Sequence, residues 1–361
     1  MIVEEPFSLT PAERHDLAGI TAELGVRFVR GSVAAVDPAA RTISVEGESM
    51  AYDAAVICVG ARMRAPFRRA ATLTGPGEAP AVNELLAQAT EHPSRRIAFI
   101  VPPGVTWTLP IYELAMMAAR RGRELGYALE PVIVTPESGP LIMFGPTASS
   151  RVYELLRARG VSFLPASYAR EEDGEGIVLS PGGNHLDAGA LVALPLLEGP
   201  GLDGLPHDGA GFIPIDERAR VRGCESLYAA GDGTTFPIKQ GGLATQQADA
   251  AAEQIAARLG CLSDPRPFHP VLRGKLIVGE ESLHLRADVG GGGGEGVASD
   301  DYLWWPPHKV GARYLGPWLA GEEPHAEPEP PRRPLEVEVA LPRAWHREPM
   351  ALDPYASLSR D

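Results

Sequence analysis

The amino-acid sequence predicts an α/β protein built around parallel sheets, and three observations support this class. Apolar strands alternate with amphipathic helices between residues 96 and 164, in the order β-α-β-α-β that is typical of a doubly wound parallel sheet. An acidic residue followed by an apolar strand occurs before this unit, at 53–60, and again after it, at 187–195. A further apolar strand, at 227–232, ends in Gly-Asp. The recurrence indicates two similar halves.

The elements before this unit follow from local pattern. Residues 10–25 predict a helix that begins with a capping box and ends at a glycine. Residues 32–36 and 41–45 alternate β-branched side chains around a turn and predict a hairpin. Residues 52–60 form a strand whose continuous hydrophobicity predicts burial on both faces.

The central unit contains three predicted strands and two predicted helices, and each helix is closed by a glycine. These are the strands 96–101, 130–135 and 161–164 and the helices 110–125 and 149–159. A short strand at 177–179 follows.

The last third begins with regular elements and then loosens. Residues 241–259 predict a long Ala-rich helix, and 272–278 with 282–286 predict a hairpin. Five consecutive glycines at 290–294 predict a flexible loop. From residue 321 onward Glu, Pro and Arg dominate, which predicts an extended tail.

Length and charge limit the classes of function. A chain of 361 residues is too long for one simple core and predicts two or three domains. The formal net charge of −14 repels phosphate backbones, so we expect no nucleic-acid partner. Apolar runs such as 190–197 are too short to span a bilayer, and the N-terminus lacks the pattern of a signal peptide. We therefore expect a cytoplasmic protein without a transmembrane segment.

Cysteine and histidine spacing gives no metal or redox motif. The three cysteines, Cys58, Cys224 and Cys261, lie far apart and form no C-x-x-C pair. Cys58 lies inside a predicted strand, which favours an inert, buried thiol. The nine histidines show no close ligand spacing, so we expect no metal site.

The Gly231-Asp232 pair is the first candidate for a binding site. It ends a predicted strand, at the edge where open α/β sheets bind ligands. The carboxylate accepts hydrogen bonds from sugar or polyol hydroxyls, and the glycine lets backbone approach a ligand closely. Gly241-Gly242 then begins a helix whose free N–H groups favour an anion or a carbonyl oxygen. Taken alone, Asp232 is also compatible with an ordinary turn.

These residues carry a family resemblance. The segment Tyr228-Ala-Ala-Gly-Asp232 resembles the second flavin motif of the pyridine nucleotide–disulfide oxidoreductase superfamily. Residues 52–61 are similar to the segment where those enzymes leave the flavin domain, and 187–195 to the return crossing. The stretch 239–248 resembles the helix that faces the flavin ring in NADH:quinone and sulfide:quinone oxidoreductases. The resemblance covers roughly residues 5–260.

The resemblance implies FAD as the cofactor. Asp232 would hold the ribityl chain, the backbone of 241–243 would meet the pyrimidine side of the isoalloxazine, and Val33 would lie near the adenine. The residues expected at the cofactor are Val33, Gly60, Ala61, Gly231, Asp232, Lys239, Gln240, Gly241, Gly242 and Leu243.

Two departures from the family pattern concern the phosphate sites. No G-x-G-x-x-G loop occurs near Met1, so the first domain resembles an N-terminally truncated form and we expect poor FAD binding by the 361-residue chain. After strand 96–101 the chain reads Pro102-Pro103-Gly104, and prolines lack the N–H donors that a pyrophosphate needs. Such a loop is similar to that of sulfide:quinone oxidoreductases and flavocytochrome sulfide dehydrogenases, which do not use NAD(P)H. We therefore expect no regular NAD(P) site and interpret Glu137 as an exposed turn residue.

The predicted architecture is two dinucleotide-binding-like (Rossmann-type) domains, one inserted in the other, the first without its N-terminal βαβ loop, plus an irregular C-terminal region. We predict a partial FAD-binding domain at 1–93 and an inserted NAD(P)-binding-like domain with a degenerate glycine loop at 94–189. The FAD-binding domain continues at 190–262, followed by a C-terminal segment at 263–320 and an extended tail at 321–361.

The leading functional hypothesis is a FAD-dependent oxidoreductase that passes electrons from a small-molecule donor to a quinone, a sulfur compound or a protein acceptor. The alternatives are an NAD(P)H-dependent flavin reductase with an atypical nucleotide site, and a non-catalytic remnant or interaction module. Trp304 and Trp305 favour core packing, with a flavin contact or a homodimer contact as alternatives. The sequence assigns no catalytic residue.

Overall fold

A computed structural model describes residue 7 and residues 14–72, 79–172, 176–279, 281–289 and 296–321. The predicted helix start at Thr10, the glycine run and the tail after residue 321 lie outside the described residues. The described helices are α1 Leu17–Glu23, α2 Ala79–Glu91, α3 Leu109–Glu124, α4 Pro146–Ala158, α5 Gly241–Arg258 and α6 Leu315–Leu319. In these ranges no helix is both apolar and long enough to cross a membrane.

A five-stranded parallel sheet forms the centre of the molecule and confirms the β-α-β-α-β prediction. Its strands, in spatial order, are β6 Ala71–Thr72, β13 Ala190–Ala193, β7 Arg96–Ile100, β8 Glu130–Val134 and β9 Ser162–Leu164. Apolar side chains of β7 are buried on both faces, since Phe99 joins one core cluster and Ile100 another. This two-sided burial is why β7 reads as a continuous apolar run.

A second parallel pair joins two segments that are far apart in the chain. Strand β4, Ala55–Ile57, pairs with β15, Leu227–Ala229. The chain therefore leaves β4, builds the central sheet and returns to β15. The two crossings pair with each other as the antiparallel strands β5, Arg62–Arg64, and β14, Leu196–Glu198.

The predicted burial of residues 52–60 on both faces is wrong. Only 55–57 form a strand, and the side chains of Val56, Cys58 and Val59 are exposed. The physical reason is that, among the described residues, β4 has one neighbouring strand, so it is an edge rather than a central strand.

Three antiparallel sheets, each of three strands, complete the fold. The first confirms the predicted hairpin and adds a third strand: β1 Val33–Asp37, β2 Thr42–Val45 and β3 Glu48–Ala51. The second comprises β10 Tyr168–Glu172, β11 Gly176–Ser180 and β12 Asn184–His185. The third, which we call the C-terminal sheet, confirms the second hairpin: β16 Val271–Ile277, β17 Ser282–Asp288 and β18 Val297–Ser299.

The C-terminal sheet packs one face against helix α3. A Cβ placed on Gly274 would lie 2.7 Å from a methyl group of Leu109 and 2.9 Å from the ring of Phe144, so only glycine fits this contact. The buried carboxylate of Glu113 in α3 accepts the backbone N–H of Ile277 at 2.9 Å and lies 3.1 Å from the ammonium of Lys309. Charge and packing together hold the sheet on the helix.

Candidate functional site

The segments that follow β4 and β15, which we call the exits of these strands, lie side by side, and glycines determine their backbone conformation. Gly60 and Gly231 adopt positive φ, +71° and +86°, a region that favours glycine. A Cβ on Gly233 would lie 2.7 Å from the carbonyl oxygen of Gly60. The backbones of the two exits therefore approach as closely as glycine allows, and Asp232 lies between these glycines at the carboxyl edge of the pair.

Asp232 and Lys239 place opposite charges at this edge. Burial raises the pKa of Asp232, while the charge of Lys239 lowers it. Burial also lowers the pKa of Lys239 to about 8, against the charges of Asp232 and Asp208. The Lys239 ammonium donates to the carbonyl of Thr234 and lies 3.9 Å from the centre of the Phe212 ring. This edge thus combines a carboxylate that can accept hydrogen bonds from hydroxyl groups, Asp232, with a partly desolvated cation, Lys239.

Helix α5 begins at the same edge and is anchored by two glutamines. The Gln240 side chain accepts the N–H of Leu243 at 3.0 Å and donates to the carbonyl of Arg273 at 2.8 Å. The Gln247 side chain accepts the N–H of Gly231 at 2.7 Å, so the helix is bound directly to the strand exit. The first N–H groups of an α-helix have no partner within the helix, so the start of α5 brings backbone donors to this edge.

The residues expected at the cofactor fall into two groups in the structure. Backbone and charged groups of the exits and of the α5 start lie together: Gly60, Ala61, Gly231, Asp232, Lys239, Gln240, Gly241 and Gly242. Leu243 is buried in the main core, so only its backbone is near the edge. Val33 begins β1 and packs against the small core beneath β4 and β15. Sequence reasoning missed Gln247, Gly233 and Phe212; the Gln246-Gln247 pair in the helix motif was the available signal.

The proline-containing loop after β7 is tied to the segment before α5. The Thr106 hydroxyl donates to the carbonyl of Pro237 at 2.6 Å. Trp107 packs edge-on against Phe144, with ring centres 6.0 Å apart. The loop after β7 is therefore held in place by a hydrogen bond and by aromatic packing.

The interpretation of Glu137 as an exposed turn residue is wrong. Its carboxylate is buried and accepts three hydroxyl hydrogen bonds, from Tyr112 at 2.6 Å and from Thr108 and Thr135 at 3.0 Å each. Burial raises its pKa to about 7, although these hydrogen bonds oppose the rise. Because Thr108 precedes α3 and Tyr112 lies in its first turns, the carboxylate lies beside the helix start. The chain's own hydroxyls thus satisfy the Glu137 carboxylate.

The cysteines do not form an activated thiol site. Cys58 is exposed rather than buried, which corrects the prediction of a core thiol; the edge position of β4 explains the difference. Although part of Cys58 is exposed, the protein around its sulfur removes water from the thiolate and so raises the pKa of the thiol. A hydrogen bond with the Ala230 backbone opposes this rise. Burial raises the pKa of Cys224 as well. Raised pKa values disfavour the nucleophilic thiolate at neutral pH.

A separate cleft of about 520 Å³ lies between α1 and α6. Its lining mixes charged and apolar side chains, among them Arg14, His15, Ile20 and Trp318. None of the residues expected at the cofactor lines it.

Comparison with solved structures gives the fold of the chain. The sulfide:quinone oxidoreductase of Aquifex aeolicus matches with a TM-score of 0.69 and 17% identity, over 79% of this chain and 73% of the other. The ferredoxin reductase for the CYP199A2 system of Rhodopseudomonas palustris matches with a TM-score of 0.54 and 20% identity, over 78% and 69%. CoADR-RHD of Bacillus anthracis matches with a TM-score of 0.53 and 15% identity, over 75% and 50%. No curated protein sequence matches.

A family comparison agrees with these structures. Residues 7–254, more than half of the 361-residue chain, match the family described as pyridine nucleotide-disulphide oxidoreductase. This confirms the resemblance found in the residues around Asp232 and the two crossings. The chain belongs to the pyridine nucleotide-disulphide oxidoreductase family.

Proposed function

We propose that the chain is a FAD-dependent oxidoreductase whose flavin binds at the carboxyl edge of β4 and β15. The observation that carries the proposal is the convergence there of two glycine exits, the Asp232 carboxylate and the start of α5. These groups fit the ribityl and ring portion of FAD, because a carboxylate accepts polyol hydroxyls and glycine admits a close backbone approach. When bound, FAD supplies acceptance of two electrons and their return singly or together.

The residues at this edge have separate roles in the proposal. Asp232 accepts hydrogen bonds from ribityl hydroxyls, and the N–H groups of Gly241 and Gly242 face a ring carbonyl. The Lys239 ammonium adds positive charge on the same side, partly desolvated as its lowered pKa indicates. No G-x-G-x-x-G loop for the pyrophosphate occurs near Met1, where the family pattern has it, so the affinity of this chain for FAD is expected to be low.

The proposed electron donor is a small molecule, and the acceptor a quinone, a sulfur compound or a protein. The Glu137 carboxylate is already bound by hydroxyl groups of the chain, and Trp107 in the loop after β7 packs against Phe144. Both features favour a donor other than NAD(P)H. The structural likeness to a sulfide:quinone oxidoreductase supports sulfide as the small-molecule donor and a quinone as the acceptor.

Replacing Asp232→Asn tests the flavin site. The purified wild-type chain is expected to carry less than stoichiometric flavin but to bind added FAD saturably. Losing charge-assisted hydrogen bonds to the ribityl chain should weaken this binding roughly tenfold or more. The measurement is a titration followed by flavin absorbance and fluorescence quenching.

The matched control is Asp301→Asn, which removes the same charge from an exposed aspartate outside the site. An equal loss of FAD affinity in both variants would show that Asp232 does not bind the flavin. A purified chain that is already yellow at near-stoichiometric flavin would contradict the expectation of weak binding.

The donor class is tested by anaerobic reduction of the FAD-loaded protein. Sulfide is expected to bleach the bound flavin. NADH at the same concentration is not expected to do so, because the two prolines in the loop after β7 lack N–H donors for a pyrophosphate. Bleaching by NADH alone would favour the flavin reductase alternative. Free FAD mixed with each donor gives the background rate.

A further inference from the structure

The face of the C-terminal sheet that lies away from the core carries basic residues in register, of which Arg273 and His284 are buried and Lys275 and Arg286 are half-buried. Arg273 and Lys275 in β16 lie directly opposite Arg286 and His284 in β17. The alternate residues of both strands, such as Gly274 and Leu285, face the core instead. Like charges placed opposite each other on a sheet are destabilising, so an anion bound beside Lys275 and Arg286 would stabilise this face.

Two cations of this face, Arg286 and Lys275, form no ion pair with the described residues. Arg286 is half-buried, and no carboxylate of the described residues lies within ion-pair distance of it. The Lys275 ammonium donates to the carbonyl of Pro307 at 3.5 Å, a long contact with a neutral acceptor. This cationic face occurs in a protein of net charge −14, so it is not a reflection of overall composition.

His284 in the middle of this face is buried without hydrogen bonds. It is 2% exposed, and neither ring nitrogen has a hydrogen-bond partner. The rings of Tyr302 and Trp304 approach it edge-on, with centres 5.1 and 5.3 Å away. A buried ring with one unmet donor and one unmet acceptor costs stability unless a ligand or water completes it.

Exposed aromatic rings border the basic residues. Tyr302 is 62% and Trp305 is 55% exposed, and their ring centres lie 6.3 Å apart in a T-shaped pair. Large rings exposed beside cations provide an apolar wall for the body of a ligand whose charge the cations hold.

We propose that this face binds an anionic ligand with a flat apolar body. A carboxylate or phosphate group lies between Lys275 and Arg286, within reach of the His284 ring, and the flat body rests on Tyr302 and Trp305. This proposal does not depend on the proposed function.

The test is calorimetric titration of the full chain, without flavin, with three probes that share one ring system. 2-Naphthoate and 2-naphthyl phosphate carry the anion, and 2-naphthamide is their neutral counterpart. Both anions are expected to bind roughly tenfold or more tightly than the amide, because charge-assisted hydrogen bonds are the stronger ones. The tighter of the two anions identifies a phosphate or a carboxylate as the natural group.

Variants assign the binding to this face. Arg286→Gln is expected to weaken binding of both anions roughly tenfold, while Arg151→Gln, an exposed arginine on α4, changes it by less than about twofold. His284→Phe keeps the aromatic packing, removes the ring nitrogens and should also weaken binding. Thermal unfolding of each variant verifies the fold. Equal affinity for the amide and the anions, or equal effects of Arg286→Gln and Arg151→Gln, would overturn the proposal.

Discussion

Glu253→Ala is expected to lower the free energy of unfolding by about 3 kcal/mol, a large effect for one side chain. The Glu253 carboxylate is 3% exposed and accepts hydrogen bonds from Arg266 at 2.8 Å, Arg313 at 2.9 Å and Tyr314 at 2.8 Å. These three donors come from two segments that follow α5 in the chain. The substitution therefore leaves two guanidinium groups without their shared carboxylate and releases both segments from the helix.

The size of this effect follows from the exposure of the partners. Arg313 is largely buried and cannot regain full hydration, whereas Arg266 is 39% exposed and can. The loss is therefore placed at the lower end of the range for breaking a buried ion pair, about 3 to 5 kcal/mol. Urea unfolding followed by tryptophan fluorescence measures it.

An exposed ion pair provides the control for Glu253. Glu124 lies 2.8 Å from Arg120 on the surface of α3, and its replacement by Ala should cost less than about 1 kcal/mol. A loss for Glu253→Ala that is no larger than the loss for Glu124→Ala would show that the cluster does not hold the C-terminal segments.

Glu137→Gln is expected to change how stability depends on pH. Burial raises the pKa of Glu137 from 4.5 to about 7, so the folded protein holds a proton that the unfolded chain releases between these values. The contribution to stability is fully present below the unfolded pKa and is lost as pH rises through the folded one. Its size is about 3 kcal/mol. The glutamine cannot ionise, so this loss is absent from the variant.

The measurement compares unfolding free energies of the two proteins near pH 5 and near pH 8. The variant should gain about 3 kcal/mol relative to wild type across this interval, with the gain on the alkaline side. Glu130→Gln, which alters an exposed carboxylate at the start of β8, the strand that precedes Glu137, should show the same stability difference from wild type at both pH values. A wild-type-to-Glu137→Gln difference that does not vary with pH would mean that the buried carboxylate keeps an ordinary pKa.

Much of the fold could be predicted because its elements carry their own signals. Strand β7 is a continuous apolar run, and helix α5 begins at a glycine pair and is rich in alanine. Strands β3 and β6 and helix α2 were not predicted. β6 has two residues and exists as a strand only through parallel pairing with β13, which no local pattern encodes.

The candidate site could be predicted where its residues are neighbours in the sequence. Gly231 and Asp232 were found because a strand ending in Gly-Asp has a fixed place in a parallel sheet. Glu137 was misjudged because its burial depends on Thr108 and Tyr112, which lie 29 and 25 residues earlier in the chain. Local sequence gives the turn, and tertiary packing decides whether the turn is exposed. The exposure of Cys58 depends in the same way on which strands flank β4.

The paired crossings β5 and β14 determine how the two parallel sheets can move. Each crossing alone would be a single chain about which the sheets could swivel. Backbone pairing of the two, reinforced by the Arg64–Glu198 contact at 2.7 Å, makes them a double-stranded connector. Separating the two crossings requires breaking this ladder, whereas a single crossing has no such bonds. The connector therefore restrains the position of the β4–β15 pair relative to the central sheet through backbone hydrogen bonds as well as through the covalent chain.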